Sequence, residues 1–137
     1  MRSALNETSP DHIALVDGDR HFTYSDLARR IDGLAGGLLA GAADLEEARV
    51  AFLIPASVEY VTALHGVWRA GGIAIPLNVA ATEPEWEHCL TSAGVTRLLT
   101  TEANRESIEN LCERLSIPLA LVDEVAAELH VTLPELA

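Results

Sequence analysis

Short apolar runs alternate along this chain with longer stretches in which apolar positions recur every three or four residues, the patterns of buried strands and amphipathic helices. Ile13-Ala-Leu-Val16 and Arg20-His-Phe-Thr-Tyr24 are extended runs joined by Asp17-Gly18-Asp19, a turn that favours positive φ, and they predict a β-hairpin. Thr23 followed by Asp26 is a capping-box pattern with Asp in place of the usual Glu or Gln; Leu27, Ile31, Leu34 and Leu38 follow at helical spacing. A helix from Tyr24 to Ala40 is therefore expected, with Gly41 ending it. Gly33, Gly36 and Gly37 each cost that helix up to about 1 kcal/mol relative to alanine, which predicts close packing against another element.

Val50-Ala-Phe-Leu-Ile54, bounded by Pro55, has the unbroken apolar character of a strand covered on both faces. Ser57 is placed to cap a helix reaching Ala70, with Glu59 in its positive first turn. Ile73 to Ile75 is the next strand, and Glu83 to Ala93 the next helix, with Trp86, Cys89, Leu90 and Ala93 on one face. Arg97 to Thr100, Arg105 to Leu115 and Leu119 to Val122 continue as strand, helix and strand; Glu124 to His130 is read as a last short helix. The strict β-α alternation predicts an α/β fold: a small doubly wound, Rossmann-like parallel sheet with right-handed crossovers, preceded by the hairpin. No repeat, low-complexity tract or linker interrupts it, so residues 1–137 are read as a single α/β domain.

In such sheets ligands sit outside the carboxyl ends of the strands, here the loops Pro55-Ala-Ser57, Pro76-Leu-Asn78 and Thr100-Thr-Glu102. None contains glycine, and neither of the common glycine-rich phosphate-binding motifs occurs. The paired Gly71 and Gly72 follow a helix and precede a strand, the reverse of the order in which amides and the positive helix end face an anion. They read as architecture: Gly71 in a left-handed helix-ending position, Gly72 freeing the turn into Ile73.

Other candidates also reduce to structure. His88 and Cys89 are adjacent on a helix and so point apart, which separates a surface histidine from a core cysteine. His65 is expected to be partly buried and hydrogen-bonded. Ser57 lacks a nucleophile elbow and reads as a cap. Glu46 and Glu47, and Glu83, Glu85 and Glu87, read as solvated faces rather than acid–base pairs. No catalytic, cofactor-binding or metal-binding residue is assigned.

Composition sharpens this in two respects. Nine basic residues against twenty-one acidic ones give a formal charge of −12, which repels nucleic acid and anionic lipid and argues against either as a partner. All nine basic residues are arginine; the absence of lysine removes any amine nucleophile, Schiff base or lysine clamp on a phosphate. Cys89 and Cys112 lack metal-ligand spacing and are expected as reduced thiols. With no apolar run long enough for a membrane span and a polar Met1 to Pro10, the cytosol is the expected compartment.

Several segments, taken in order, resemble the start of the AMP-forming adenylating enzymes, which include acyl-CoA synthetases and peptide-synthetase adenylation domains. Phe22-Thr-Tyr-Ser-Asp-Leu27 is similar to that family's "(L/F)TYxEL", Arg49-Val-Ala-Phe-Leu-Ile-Pro55 to its "RVAxxxP", and Trp68-Arg-Ala-Gly-Gly-Ile-Ala-Ile-Pro-Leu-Asn78 to its "xxAGGxxxPLN". Glu83 to Glu87 and Ser92 to Thr100 continue in step, and Trp68 to Gly72 with Glu85-Trp-Glu87 looks most like the malonyl-CoA synthetase branch. The resemblance implies activation of a carboxylic acid with ATP and magnesium, then transfer to coenzyme A. It also implies that the residues doing so, a phosphate loop ending in lysine, a ribose-holding aspartate, a glutamate near magnesium and a C-terminal lysine, come later than this chain extends.

Two functions are therefore expected. In one, the chain is the N-terminal subdomain of an acid–CoA ligase, inactive and without ATP, magnesium or coenzyme A when alone, exposing an apolar face to the remainder of the ligase. In the other, it is a free-standing module that pairs through that face with a complementary polypeptide or with itself. A receiver-like domain shares the alternation but needs a lysine.

Overall fold

The computed structural model describes residues 12–127. The sequence readings for Met1 to Pro10, for the last three residues of Glu124 to His130, and for Val131 to Ala137 lie outside the described residues.

Strands β1 (Ile13–Asp17) and β2 (Arg20–Thr23) form the expected antiparallel hairpin, with Asp17 opposite Arg20 and Gly18 at φ 62 in the turn. Helix α1 (Tyr24–Leu39) starts from a complete capping box. The Thr23 side chain accepts from the Asp26 amide at 3.0 Å, and the Asp26 carboxylate accepts from the Thr23 amide at 3.0 Å. Aspartate is thus long enough to close the box. At the other end the sequence reading needs correction, because the left-handed turn begins at Ala40 (φ 48) and continues through Gly41 (φ 96). The Ala40 amide still makes the last helical bond, donating to Gly36 O, before its backbone turns left-handed.

Strands β3 (Arg49–Leu53), β4 (Ile73–Pro76), β5 (Arg97–Thr100) and β6 (Leu119–Leu121) make a four-stranded parallel sheet in the order β4-β3-β5-β6. Pro76 is tolerated because β4 lies at an edge. Central β3 is covered on both faces: Val50, Phe52 and Ile54 face one apolar cluster, Ala51 and Leu53 the other. Helix α2 (Val58–Arg69) supplies Ala63 and Val67 to the first cluster, joined by Leu34 and Leu38 of α1 and Val122 of α5 (Val122–Ala127). Helices α3 (Glu83–Ser92) and α4 (Glu102–Arg114) cover the second with Trp86, Leu90, Ile108 and Leu111.

Two helix starts differ from expectation. Helix α4 begins at Glu102, three residues before Arg105, because Thr101 takes the extended N-cap conformation directly after β5. Helix α5 begins at Val122, which leaves β6 straight into the helix. The glycine reading holds at Gly33, where a Cβ would lie 2.7 Å from the Ala126 carbonyl oxygen. Among the described residues no helix is long and apolar enough to cross a membrane.

Candidate functional site

The connection leaving β3 runs over one face of the sheet to β4, and the next returns over the other face to β5. The carboxyl ends of β3 and β5 therefore flank the topological switch point, where open α/β sheets bind ligands. A crevice of about 380 Å³ opens there, walled by Pro55 and Ser57 after β3, Thr100 to Asn104 after β5 and Leu121 to Glu124 after β6. A larger hollow of about 430 Å³ is bounded by α4 residues alone and encloses nothing.

The polar groups of the crevice are committed to the fold. Ser57 Oγ donates to the Pro55 carbonyl at 2.8 Å and accepts from the Tyr60 amide at 3.2 Å, which is a cap and not a nucleophile paired with a base. Buried Thr100 donates to the Leu53 carbonyl at 2.8 Å, and Thr101 donates to Asn104 Oδ1 at 3.1 Å.

Helices α2, α4 and α5 all present their N-termini to this crevice, an arrangement that favours an anion. Each is already met by carboxylates of its own first turn: Glu59, Glu102, and Asp123 with Glu124. Asp17, from the hairpin, adds a cap on α2 by accepting from the Val58 amide at 3.0 Å. That amide holds the Asp17 carboxyl below its ordinary value, with Arg20 reinforcing it. Burial works to raise the Glu59 carboxyl, but Arg20, its own backbone amide and Arg30 outweigh it, so it too sits low. Among the described residues no arginine lines the crevice; Arg30, nearby, is spent on Asp123 at 2.8 Å and Glu59 at 3.7 Å. Among the described residues a polyphosphate would meet carboxylates here and no cation.

The glycine pair lies elsewhere, at the turn between α2 and β4. Gly71 adopts φ 87, and a Cβ on it would lie 2.3 Å from Asp44 Oδ1. The Gly71 amide donates to Trp68 O and the Gly72 amide to Val67 O, so neither is free for an anion. The loop before β3 closes over them, Leu45 and Glu47 donating to the carbonyls of Ala70 and Gly71 at 2.8 Å. Holding that loop places Glu46 and Glu47 in left-handed backbone, φ 54 and 64.

His88 is exposed, as expected, and Cys89 faces the second core cluster, though only half-buried against it. Cys112 is buried, and desolvation pushes its thiol up to about 11. The reading of His65 is corrected: it is exposed and packs edge-on against Trp68, ring centroids 5.2 Å apart. Its position on the outer side of α2 decides this, since Thr62 and Gly66 take the inner side. Glu83 and Glu87 each pair with Arg114 of α4 at 3.1 Å, while Glu85 closes a second capping box with Thr82, so these acids do more than solvate a face. The Thr82-x-x-Glu85 spacing was legible in the sequence; the Asp17 cap, 41 residues from its helix, was not. Among the described residues no group of three or more His, Cys, Asp or Glu side chains could hold a metal ion.

Side chains of the segments that carry the family resemblance make contacts within the fold. The guanidinium groups of Arg20 and Arg30 both lie over the Phe22 ring, 5.6 and 5.7 Å from its centre; Thr23 and Asp26 cap α1, and Leu27 is buried. The Pro76-Leu-Asn78 loop is closed by the Trp86 indole donating to the Asn78 carbonyl at 2.8 Å. A family model described as AMP-binding enzyme matches residues 2–134. The chain belongs to the AMP-binding enzyme family. It is 34% identical over 113 residues to the mitochondrial malonate–CoA ligase ACSF3 of Mus musculus, covering 80% of this chain and 19% of that protein. A feruloyl-CoA synthase of Amycolatopsis sp is 32% identical over 117 residues, 84% of this chain and 24% of that one. The apo MatB structure from Rhodopseudomonas palustris shares the fold, with a TM-score of 0.75 over 91% of this chain and 27% of that one, at 23% identity. The chain thus spans a quarter or less of these curated relatives.

Proposed function

We propose that this chain is the N-terminal α/β portion of an AMP-forming acyl-CoA synthetase, a scaffold that does not itself bind ATP, magnesium or coenzyme A and is inactive alone. The observation that carries the reading is the crevice at the switch point. Its three helix N-termini are neutralised from within, and among the described residues it is lined by carboxylates and no arginine, in a chain that has no lysine. Stabilising the charge of a transferring phosphoryl or adenylyl group requires cations or a metal held against it, and these residues do not fit that task. Malonate is the acid we assign to the complete ligase, on the identity to malonate–CoA ligase and the resemblance at Trp68 to Gly72. The cytosol remains our assignment for the compartment, supported by the free thiols of Cys89 and Cys112.

The test is ATP–pyrophosphate exchange with malonate and short fatty acids, alongside titration calorimetry with ATP and magnesium. The purified chain is expected to give no acid-dependent exchange and no heat of nucleotide binding. Acid-dependent exchange, or magnesium-dependent ATP binding, would overturn the reading.

A further inference from the structure

The dipeptide Asp-Gly occurs twice in the chain, at Asp17-Gly18 and Asp32-Gly33, and the fold treats the two in opposite ways. A glycine amide after an aspartate, unhindered by a Cβ, is the backbone nitrogen best placed to attack the neighbouring side-chain carboxyl. Asp32-Gly33 lies inside α1, where helical bonds fix the backbone and a Cβ on Gly33 would already lie 2.7 Å from the Ala126 carbonyl oxygen. Turning that amide onto Asp32 would unwind a helix that gives Leu34 and Leu38 to the core. Asp17-Gly18 sits instead at the tip of the hairpin. Gly18 is exposed at φ 62, and a Cβ there would meet nothing within 4 Å.

The hairpin is held differently from the rest of the fold. It is a two-stranded sheet of its own, and no residue from Ile13 to Thr23 belongs to either core cluster. Its tip is fastened to the start of α2 by polar contacts that converge on Asp17. The Asp17 carboxylate accepts from the Val58 amide at 3.0 Å and from Arg20 at 2.5 Å, and Arg20 reaches on to Glu59 at 3.2 Å. A groove of about 280 Å³ stays open between β1 and α2, so apolar packing backs these contacts only in part. While they hold, the Asp17 carboxyl carbon is not free to turn onto the Gly18 nitrogen, and the Val58 amide and Arg20 keep the group ionised, the form a nucleophile attacks least readily.

We propose that Asp17-Gly18 is a site of isoaspartate formation, guarded by the Asp17–Arg20–Glu59 clasp, and that conversion unfastens the hairpin from α2. The site is independent of the function proposed above. The Gly18 nitrogen bonds to Asp17 Cγ, and its proton leaves with the carboxyl hydroxyl as water, closing a five-membered imide. Water then reopens the ring. Cleavage of the bond between the Gly18 nitrogen and Cγ restores aspartate; cleavage of the bond to the main-chain carbon leaves the chain running through Cγ, with the free carboxylate moved to the former main-chain carbon. The Val58 amide and Arg20 then lose the acceptor that Asp17 gave them.

The test is incubation of the purified full chain near neutral pH, followed by peptide mapping that separates aspartyl from isoaspartyl forms. Isoaspartate is expected to accumulate at residue 17 and not at residue 32. Arg20→Gln, at a side chain 52% exposed, removes the link between the two carboxylates and should speed conversion at residue 17 at least threefold. Arg69→Gln removes the ion-pair partner of Asp32 and should leave Asp32 unconverted, because the helix protects it and the ion pair does not. In the converted fraction the Val58 amide should exchange its hydrogen with solvent faster, and the Leu99 amide of β5 at an unchanged rate. No isoaspartate at residue 17 in either protein, equal rates there in the wild type and Arg20→Gln, or conversion of Asp32 as fast as of Asp17 would each overturn the guarded site. An unchanged Val58 amide in the converted fraction would overturn the unfastening.

Discussion

At the scale of single residues, the sharpest constraints are steric. Alanine at Gly33 would improve helix propensity by about 1 kcal/mol, but its Cβ would sit 2.7 Å from a backbone oxygen of α5 that no side-chain rotation can move. Overpacking of this kind costs about 1–3 kcal/mol, so the clash outweighs the propensity. Gly33→Ala is expected to lower the melting temperature by a few degrees, and an unchanged or raised value would show that α5 yields. The two thiols give a second prediction. Cys112 is 1% exposed with its thiol pushed up to about 11, while Cys89 is half-buried at the helix surface. An aromatic disulfide reagent at pH 8 should titrate one thiol in the native protein and the second only on unfolding. Two fast equivalents would contradict the packing of α4.

At the scale of elements, the helix ends decide how much the sequence reveals. Local signals were readable: Thr23 with Asp26, Ser57, and the left-handed Gly71 all appear where the spacing puts them. What escaped was the exact residue at some helix ends. Ala40 carries the left-handed turn after α1, though Gly41 is the residue a reader would choose. Because φ 48 strains a residue with a Cβ and not glycine, Ala40→Gly is expected to stabilise the protein by about 0.5–1 kcal/mol. Thr23→Ala removes the side-chain half of the capping box and should cost about 1 kcal/mol. Urea titration of both variants checks the pair, and the same sign for the two would refute the assignment of the helix ends. The candidate site was legible only in its location outside the carboxyl ends of parallel strands; the order β4-β3-β5-β6, which singles out β3 and β5, was not, because β-α alternation leaves the side taken by each crossover open. Its acidic lining depends on three helix starts converging from Ser57, Thr101 and Val122, two of which lie earlier than periodicity placed them.

At the scale of the whole molecule, charge and pH connect these devices. Asp17, Asp26, Glu59 and Glu85 all sit below their ordinary values. The Val58 amide acts on Asp17, the Thr23 amide on Asp26 and the Thr82 amide on Glu85, while Arg20 and Arg30 hold Glu59 down against its burial. A carboxyl depressed in the folded state contributes stability that is fully present above its unfolded value near 4 and is lost as pH falls through the folded value. Protonation also relieves the net repulsion of a chain at −12, which acts in the opposite direction. At about 0.15 M salt the screening length is about 8 Å, so the dispersed repulsion is damped more than the direct hydrogen bonds, and the local contribution wins. Cys112 works from the other side: its raised value contributes stability that is complete below the ordinary thiol value of 9.0 and declines as pH climbs towards about 11. Stability should therefore be flat between about pH 5 and 9 and fall on both sides. Glu59→Gln is expected to flatten the acid limb, and Cys112→Ala the alkaline limb, each on top of a constant loss from altered packing. Chemical denaturation from pH 3 to 10.5 separates slope from offset. If Cys112→Ala shifted the whole curve without changing its alkaline slope, the thiol would not be titrating through a buried state, and the dry α3–α4 face of the sheet would need revision.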